Sequence, residues 1–192
     1  MRKICKQCGE VFDALRGDKV FCKRGCKDQY RNNAKPRKTS KSYKDAKATR
    51  GIALTHTQRQ IILGGLLGDG SININNVFLM THSHKQKEYL DWKIQALGGL
   101  VQARASEYTR SNGNVQYHAH TIQHPELEEL RGIVYPLGKK VVGEWVKELG
   151  LEAIAVWYMD DGSSSKSQRQ CVFCTESFLD EEQNLLIDLL GS

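Results

Sequence analysis

Asp69 and Asp161 are the residues of this chain whose setting best suits chemistry. Residues 62–70 read Ile-Leu-Gly-Gly-Leu-Leu-Gly-Asp-Gly and residues 154–162 read Ile-Ala-Val-Trp-Tyr-Met-Asp-Asp-Gly; serine follows each, at Ser71 and Ser163. Each segment is an apolar, helix-like run that stops at Asp-Gly. A duplicated helix end that carries a carboxylate can bring two carboxylates together on a pseudo-twofold axis. Paired carboxylates suit metal-assisted cleavage of a phosphodiester, which needs an activated water and a neutralised leaving oxygen. Gly64, Gly65 and Gly68 sit inside the first run. Each costs a helix about 1 kcal/mol relative to Ala, which makes sense where another backbone must approach closely. The run lacks the Lys-Ser/Thr ending of a phosphate-binding loop.

A second set of chemically competent residues stands at the N-terminus. Cys5-x-x-Cys8 and Cys22-x-x-x-Cys26 hold four of the six cysteines. Val11-Phe12 and Val20-Phe21 flank a turn at Arg16-Gly17-Asp18, and a hairpin there would bring the second pair back to the first. Cys26 then opens a polar helical segment, Lys27 to Ala34. Four thiolates so placed fit Zn²⁺. A redox Cys-x-x-Cys would need a fold of its own, whereas a segment this small gains its folding energy from the metal. Residues 1–34 are similar to a treble-clef-type zinc finger: knuckle, hairpin, then a helix with the last ligand. Cys171 and Cys174 read as ordinary thiols on opposite faces of a strand.

Charge divides unevenly along the 192 residues. Residues 1–50 carry 16 Lys/Arg and 5 Asp/Glu, a net +11, whereas the remainder carries 12 and 17, a net −5. A basic arm on a mildly acidic body suits a polyanion. Residues 35–51 are Lys-rich and read as an extended linker; at about 3.3 Å per residue they span tens of ångströms. No apolar run is long enough to cross a membrane and no secretion signal is read at the N-terminus. The expected location is cytoplasmic or organellar.

The elements that must position the aspartates follow from pattern. Thr55-His56-Thr57-Gln58 fits a capping box, and an apolar helix runs from it to Asp69. Ser71 to Asn75 alternate strictly, with Ile72 and Ile74 on one side, and Asn75-Asn76 suggests a turn before a return strand, Val77 to Ser83. His84 to Leu97 reads as an amphipathic helix with Tyr89, Leu90, Ile94 and Leu97 inward. A second hairpin starts at Val101, turns at Asn112-Gly113 and returns over Val115 to Ile122, with Gln116, His118 and His120 on one face. A helix from Pro125 to about Tyr135 and a short one over 141–149 close a first unit, residues 52–150. The unit restarts at Leu151 with a helix to Asp161, polar strand-like residues 163–174 and a helix over 179–190. Only 31 residues follow Asp161, against about 80 between Asp69 and Leu149, so 151–192 reads as a partial repeat and the chain as truncated, split or degenerate. The fold class is α+β: an αββαββα repeat with antiparallel sheets, an incomplete second repeat and a small zinc finger.

These motifs carry a family resemblance. Leu-Leu-Gly-Asp-Gly-Ser at 66–71 and Trp-Tyr-Met-Asp-Asp-Gly-Ser at 157–163, with His82-Ser83-His84-Lys85-Gln86-Lys87-Glu88-Tyr89 between them, resemble the two-motif, single-chain LAGLIDADG homing endonucleases over residues 52–192. The resemblance implies that the motif helices pack together and the sheets form a saddle over the DNA major groove. It implies that Asp69 and Asp161 bind a divalent metal, Mg²⁺ or Mn²⁺, and that Lys140, in the loop after the second hairpin, acts near the scissile phosphate. Asp160 stands where the first motif has Gly68 and receives no main catalytic role. Gly150 replaces the usual Ser/Thr N-cap of the second motif helix, and Val156-Trp157 replace Gly64-Gly65.

Nucleic-acid contacts follow from chemistry and placement. In the arm, Lys23, Arg24, Lys27, Arg31, Arg37 and Lys38 suit phosphates, which give affinity without sequence information. On the polar strand faces, Arg104 suits guanine, and Asn73 and Gln116 suit adenine. Ser71, Asn75, Arg110, His118, His120, Lys166 and Arg169 complete the expected contact set; the His118-x-His120 pair is read as DNA-facing rather than metal-binding. Two functions compete. One is a site-specific double-strand DNA endonuclease that promotes mobility of its intron or coding element. The other is a catalytically impaired nucleic-acid-binding protein on the same scaffold, an intron RNA maturase or a DNA-binding regulator. The partners expected are double-stranded DNA, intron RNA for a maturase, and a separate C-terminal half-repeat for a split chain.

Overall fold

The computed structural model describes residues 1–14, 16–27, 30, 52–101, 104–165, 167 and 169–191. The linker expected at 35–51 and most of the helix expected at 27–34 lie outside these residues. The chain forms two compact units, Met1–Ser40 and Lys41–Ser192.

In the first unit β1 (Arg2–Ile4) pairs antiparallel with β2 (Val11–Asp13), setting Lys3 opposite Phe12 and Ile4 opposite Val11. The chain between them carries Cys5 and Cys8 and turns through Gly9 at φ 74°, where L side chains are strained. The hairpin therefore encloses the first cysteine pair and does not separate the two pairs. Val20-Phe21 forms no strand; the Val20 carbonyl accepts from the Lys6 N–H at 3.1 Å. Residues 24–27 are helical, so Cys26 lies inside the first helical turn.

The second unit begins with α1 (His56–Leu67). Its capping box forms as read: Thr55 Oγ1 accepts from the Gln58 N–H and Gln58 Oε1 accepts from the Thr55 N–H. Next come β3 (Ser71–Ile72), β4 (Phe78–Ser83), α2 (Lys87–Leu97), β5 (Ser106–Thr109), β6 (Val115–His120) and α3 (Pro125–Val134). The four strands make one antiparallel sheet in the order β3-β4-β6-β5. A 3₁₀ turn at Glu144–Glu148 stands where a short helix was expected. The second motif helix, α4 (Leu151–Asp161), leads into the β7 (Gly162–Ser165) and β8 (Gln170–Phe173) hairpin and α5 (Asp180–Gly191). Helix, hairpin, helix thus recur in order after each motif.

Two hairpins differ from their sequence reading. Asn73 Oδ1 accepts from the N–H groups of Asn75 and Val77, so the chain turns at once after Ile72. The alternation read over 71–75 fails at Ile74, which is 82% exposed while Ile72 is 4% exposed. An asparagine that caps its own backbone outcompetes the ladder. The second hairpin is paired from Ser106, five residues later than Val101. Its loop is longer than the two residues Asn112-Gly113: Gly113 at φ 82° donates to the Arg110 carbonyl, and Arg110 N–H to Asn114 O.

One core serves the second unit. Leu63 and Leu66 of α1, Phe78 and Met80 of β4, Leu90 and Leu97 of α2, Leu127 and Leu130 of α3, and Val156 and Trp157 of α4 all lie in it. Period two on β4 puts Phe78, Met80 and His82 on the face against the helices and Leu79, Thr81 and Ser83 on the other. Lys93 is 1% exposed and occupies the inward place on α2 between Leu90 and Leu97.

Candidate active site and nucleic-acid interface

The two motif helices meet along small residues. A Cβ on Gly64 would strike the Ala153 carbonyl oxygen and stand 2.8 Å from Val156 Cβ; one on Gly68 would strike Asp160 Cβ. Counted from the motif aspartates, Gly64 corresponds to Val156 and Gly68 to Asp160, so equivalent positions touch and the contact is pseudo-symmetric with glycine on one side. Trp157, opposite in rank to Gly65, packs on Phe173 with ring centroids 4.1 Å apart. Gly150 at the start of α4 has no capping side chain. Its N–H instead donates to Gln60 Oε1 at 2.6 Å, and Gln60 Nε2 donates to the Glu148 carbonyl, so α1 caps α4 from across the seam.

Asp69 follows the C-cap of α1 and Asp161 ends α4. The Asp69 carboxyl is pushed up to about 6, by burial first and then by the negative charges of Asp161 and Asp160, against Lys93 and Lys140. Burial and Asp160 also raise Asp161, with Lys140 opposing. Carboxylates that destabilise one another in this way are a fit for a divalent cation, which would relieve the repulsion. Lys140 Nζ donates to the carbonyls of Gly70 at 3.0 Å and Gly68 at 3.4 Å, on either side of Asp69. Burial lowers its pKa, opposed by Asp161, Asp69 and Asp160.

Below this cluster, Lys93 and His82 escaped the sequence reading, and Asp160 had been given no main catalytic role. Lys93 Nζ donates to Asp160 Oδ1 at 2.6 Å and stands 3.2 Å from His82 Nε2. His82 Nδ1 faces Asp69 Oδ2 at 3.7 Å. The side chains of Asp160, Lys93 and His82 are 0–1% exposed. Burial lowers His82 to about 4, helped by Lys93 and opposed by Asp160 and the Gln86 side chain. The signal was present: His82 falls on the inward phase of β4 and Lys93 on the inward phase of α2, each a polar residue at a core position.

The four cysteine sulfurs of the first unit lie within 4.8 Å of one another. Cys8 Sγ is 3.6 Å from Cys22 Sγ, which is 3.5 Å from Cys26 Sγ. Tetrahedral Zn–S bonds of roughly 2.3 Å imply S···S edges of about 3.8 Å, so the set fits zinc. Cys5 is brought down to about 6: burial raises it, but the backbone N–H groups of Cys8, Cys22 and Gln7 more than offset that. Cys26 is pushed up to about 12 by the Cys22 thiol, then by burial. Crowded thiols of this kind favour a metal that holds them as thiolates.

The expected contact residues divide by place. Gln116, His118 and His120 share the outer face of β6, opposite Ser83, Thr81 and Leu79 of β4, and Ser71 joins that face through Leu79. His118 Nδ1 pairs with Thr81 Oγ1 at 2.8 Å. Arg110 Nε donates to Gln116 Oε1 at 2.7 Å, which orders both side chains. Arg104 is exposed ahead of β5; Asn73 and Asn75 are held in the turn after β3; and Arg169 stands in the β7–β8 turn at φ 50°. Lys23, Arg24 and Lys27 are exposed around Cys26. Arg31, Arg37, Lys38 and Lys166 lie outside the described residues.

Comparison with known proteins gives this arrangement its class. The model of the LAGLIDADG DNA endonuclease family matches residues 59–192. The chain belongs to that family. It is 38% identical to Protein RecA of Mycolicibacterium flavescens over 124 residues, which are 60% of this chain and 28% of that one. The chain thus spans little more than a quarter of such a relative. It is 27% identical over 150 residues to DNA endonuclease I-ChuI of Chlamydomonas applanata, covering 66% of this chain and 68% of the relative. Its fold matches that of the homing endonuclease I-WcaI, solved bound to its DNA recognition sequence, with a TM-score of 0.66 and 24% identity, over 82% of this chain and 75% of the other. The α+β class and the family read from the two Asp-Gly motifs are borne out.

Proposed function

We propose that the chain is a site-specific endonuclease of double-stranded DNA. The observation that carries this reading is the meeting of the two motif helices with Asp69, Asp161 and Lys140 grouped at their ends. Family membership and the likeness to I-ChuI and I-WcaI support it. Asp69 and Asp161 would hold Mg²⁺ or Mn²⁺, which supplies activation of water and neutralisation of the leaving oxygen when bound. Lys140 holds the Asp69 loop through the Gly68 and Gly70 carbonyls and adds positive charge for a phosphate. The outer face of β4 and β6 offers Gln116, His118, His120 and the Arg110–Gln116 pair to base edges in a major groove. Residues 1–34 would form a zinc finger on Cys5, Cys8, Cys22 and Cys26. Residues 35–51 would link it to the repeats at 52–150 and 151–192, adding phosphate affinity. The likeness to homing endonucleases extends the reading to mobility of the coding element.

The experiment is incubation of the full chain with a library of randomised duplexes and Mg²⁺, followed by sequencing of the new ends. Cleavage of both strands at one long site is expected. Selective binding of one site with no cleavage in Mg²⁺ or Mn²⁺ would replace the endonuclease with a binding protein on this scaffold. Among the described residues, no helix is long and apolar enough to cross a membrane.

A further inference from the structure

The cleavage reading assigns nothing to the polar chain Asp160–Lys93–His82 buried beneath Asp69. An ammonium has donors and no acceptor. Lys93 therefore gives one N–H to Asp160 Oδ1 and, at 3.2 Å, can meet His82 Nε2 only if that nitrogen is a bare acceptor. A neutral imidazole then carries its proton on Nδ1. That nitrogen is buried, makes no hydrogen bond of normal geometry among the described residues, and faces Asp69 Oδ2 at 3.7 Å; the Gln86 side chain is the other polar group beside the ring. The Asp69 side chain is 44% exposed and has room to close the gap by rotation. Tyr89 encloses the chain, its ring 4.5 Å below Lys93 Nζ and edge-on to His82, and its hydroxyl donates to the Val156 carbonyl of α4.

We propose that His82 is a positioning residue for Asp69, and that Lys93, anchored on Asp160 of the second motif, fixes the tautomer in which it acts. The Nδ1–H takes one Asp69 oxygen and leaves the other for a cation. This rests on the reading of Asp69 as a metal ligand. Carboxylates that bind metal are themselves hydrogen-bonded, and losing such a partner costs 10- to 100-fold in metal affinity or activity. Asp160, which has no counterpart carboxylate in the first motif, thereby gains a use: it aligns the other motif's aspartate.

The test uses the full-length chain. Ring-¹⁵N histidine spectra give the tautomer of His82, assigned by the signal lost on substitution. Mn²⁺ titration followed by electron paramagnetic resonance gives affinity, and thermal unfolding checks that each variant is folded. Asn places an N–H where His has Nδ1–H, whereas Gln places one where His has Nε2–H. We expect the Nδ1–H tautomer in the wild type, Mn²⁺ affinity within about threefold of wild type for His82→Asn, and at least a tenfold loss for His82→Gln at similar melting temperature. Lys93→Met should release the tautomer; if that variant does not fold, the Asn and Gln pair still decides. An Nε2–H tautomer, or equal affinities for the Asn and Gln variants, overturns the proposal. Asp69→Asn separates the layers. Wild-type Mn²⁺ affinity in that variant overturns the metal reading itself, whereas a defective Asp69→Asn with indistinguishable His82 variants overturns the role of His82 alone.

Discussion

At the scale of single residues, burial and two neighbouring carboxylates hold the Asp69 carboxyl above the usual aspartate range. Its folded value of about 6 lies above the roughly 3.9 of an unfolded aspartate. The folded state therefore holds this proton more tightly. Its contribution to stability is complete below about pH 4 and is lost as pH rises through about 6. A divalent ion needs the charged form, so Mn²⁺ should raise the melting temperature more at pH 7.5 than at pH 5; equal shifts at both would contradict the assignment. Lys140→Ala should slow cleavage by about 100- to 1,000-fold, the range for losing one preorganised charge-stabilising donor, in single-turnover assays. It should leave some activity where Asp69→Asn leaves none. These two aspartates and the four cysteines were legible from residue type and spacing. Lys93 and His82 were not, because a polar residue at a core phase looks like an error until its partner is known. That partner, Asp160, is 67 residues from Lys93.

At the scale of elements, the seam between the motif helices depends on glycine. The three glycines of the first motif were legible as a close-approach surface because their propensity cost had no local return. What they approach was not legible: Gly64 meets a backbone carbonyl and Gly68 the root of Asp160. A backbone oxygen cannot rotate away, so Gly64→Ala must push α1 and α4 apart. Overpacking costs about 1–3 kcal/mol, and this chain length converts that to a fall of about 2–12 °C in melting temperature, measurable by calorimetry; an unchanged midpoint would mean that the seam is loose. Helix starts read well because capping chemistry is local, as at Thr55. Strand ends read poorly. At Asn73 a side chain captured two backbone N–H groups, and alternation of Ile72 and Ile74 carried no information about it. The missing cap at Gly150 also misled, since its substitute, Gln60, comes from 90 residues away.

At the scale of the whole molecule, charge divides the chain into a basic first quarter and a mildly acidic remainder. That division was legible from composition; which bases would be read is not, since several candidate contact residues stand on turns whose form depends on tertiary contacts. If the arm contacts phosphates, a chain lacking residues 1–50 should bind all duplexes more weakly, and the slope of log affinity against log salt should flatten by about 0.9 per lost contact. A changed preferred sequence at unchanged affinity would make the arm a reader. Full-length protein should also carry one zinc, lost with Cys8→Ser, by elemental analysis. The proposed cutting of both strands rests on the pair of motifs, so its most direct test alters both. Asp69→Asn with Asp161→Asn, assayed with Mg²⁺ on the duplex selected by the wild type, should bind that site with wild-type affinity and leave both strands intact. Cleavage by this double variant at the wild-type rate would contradict the assignment of the two aspartates.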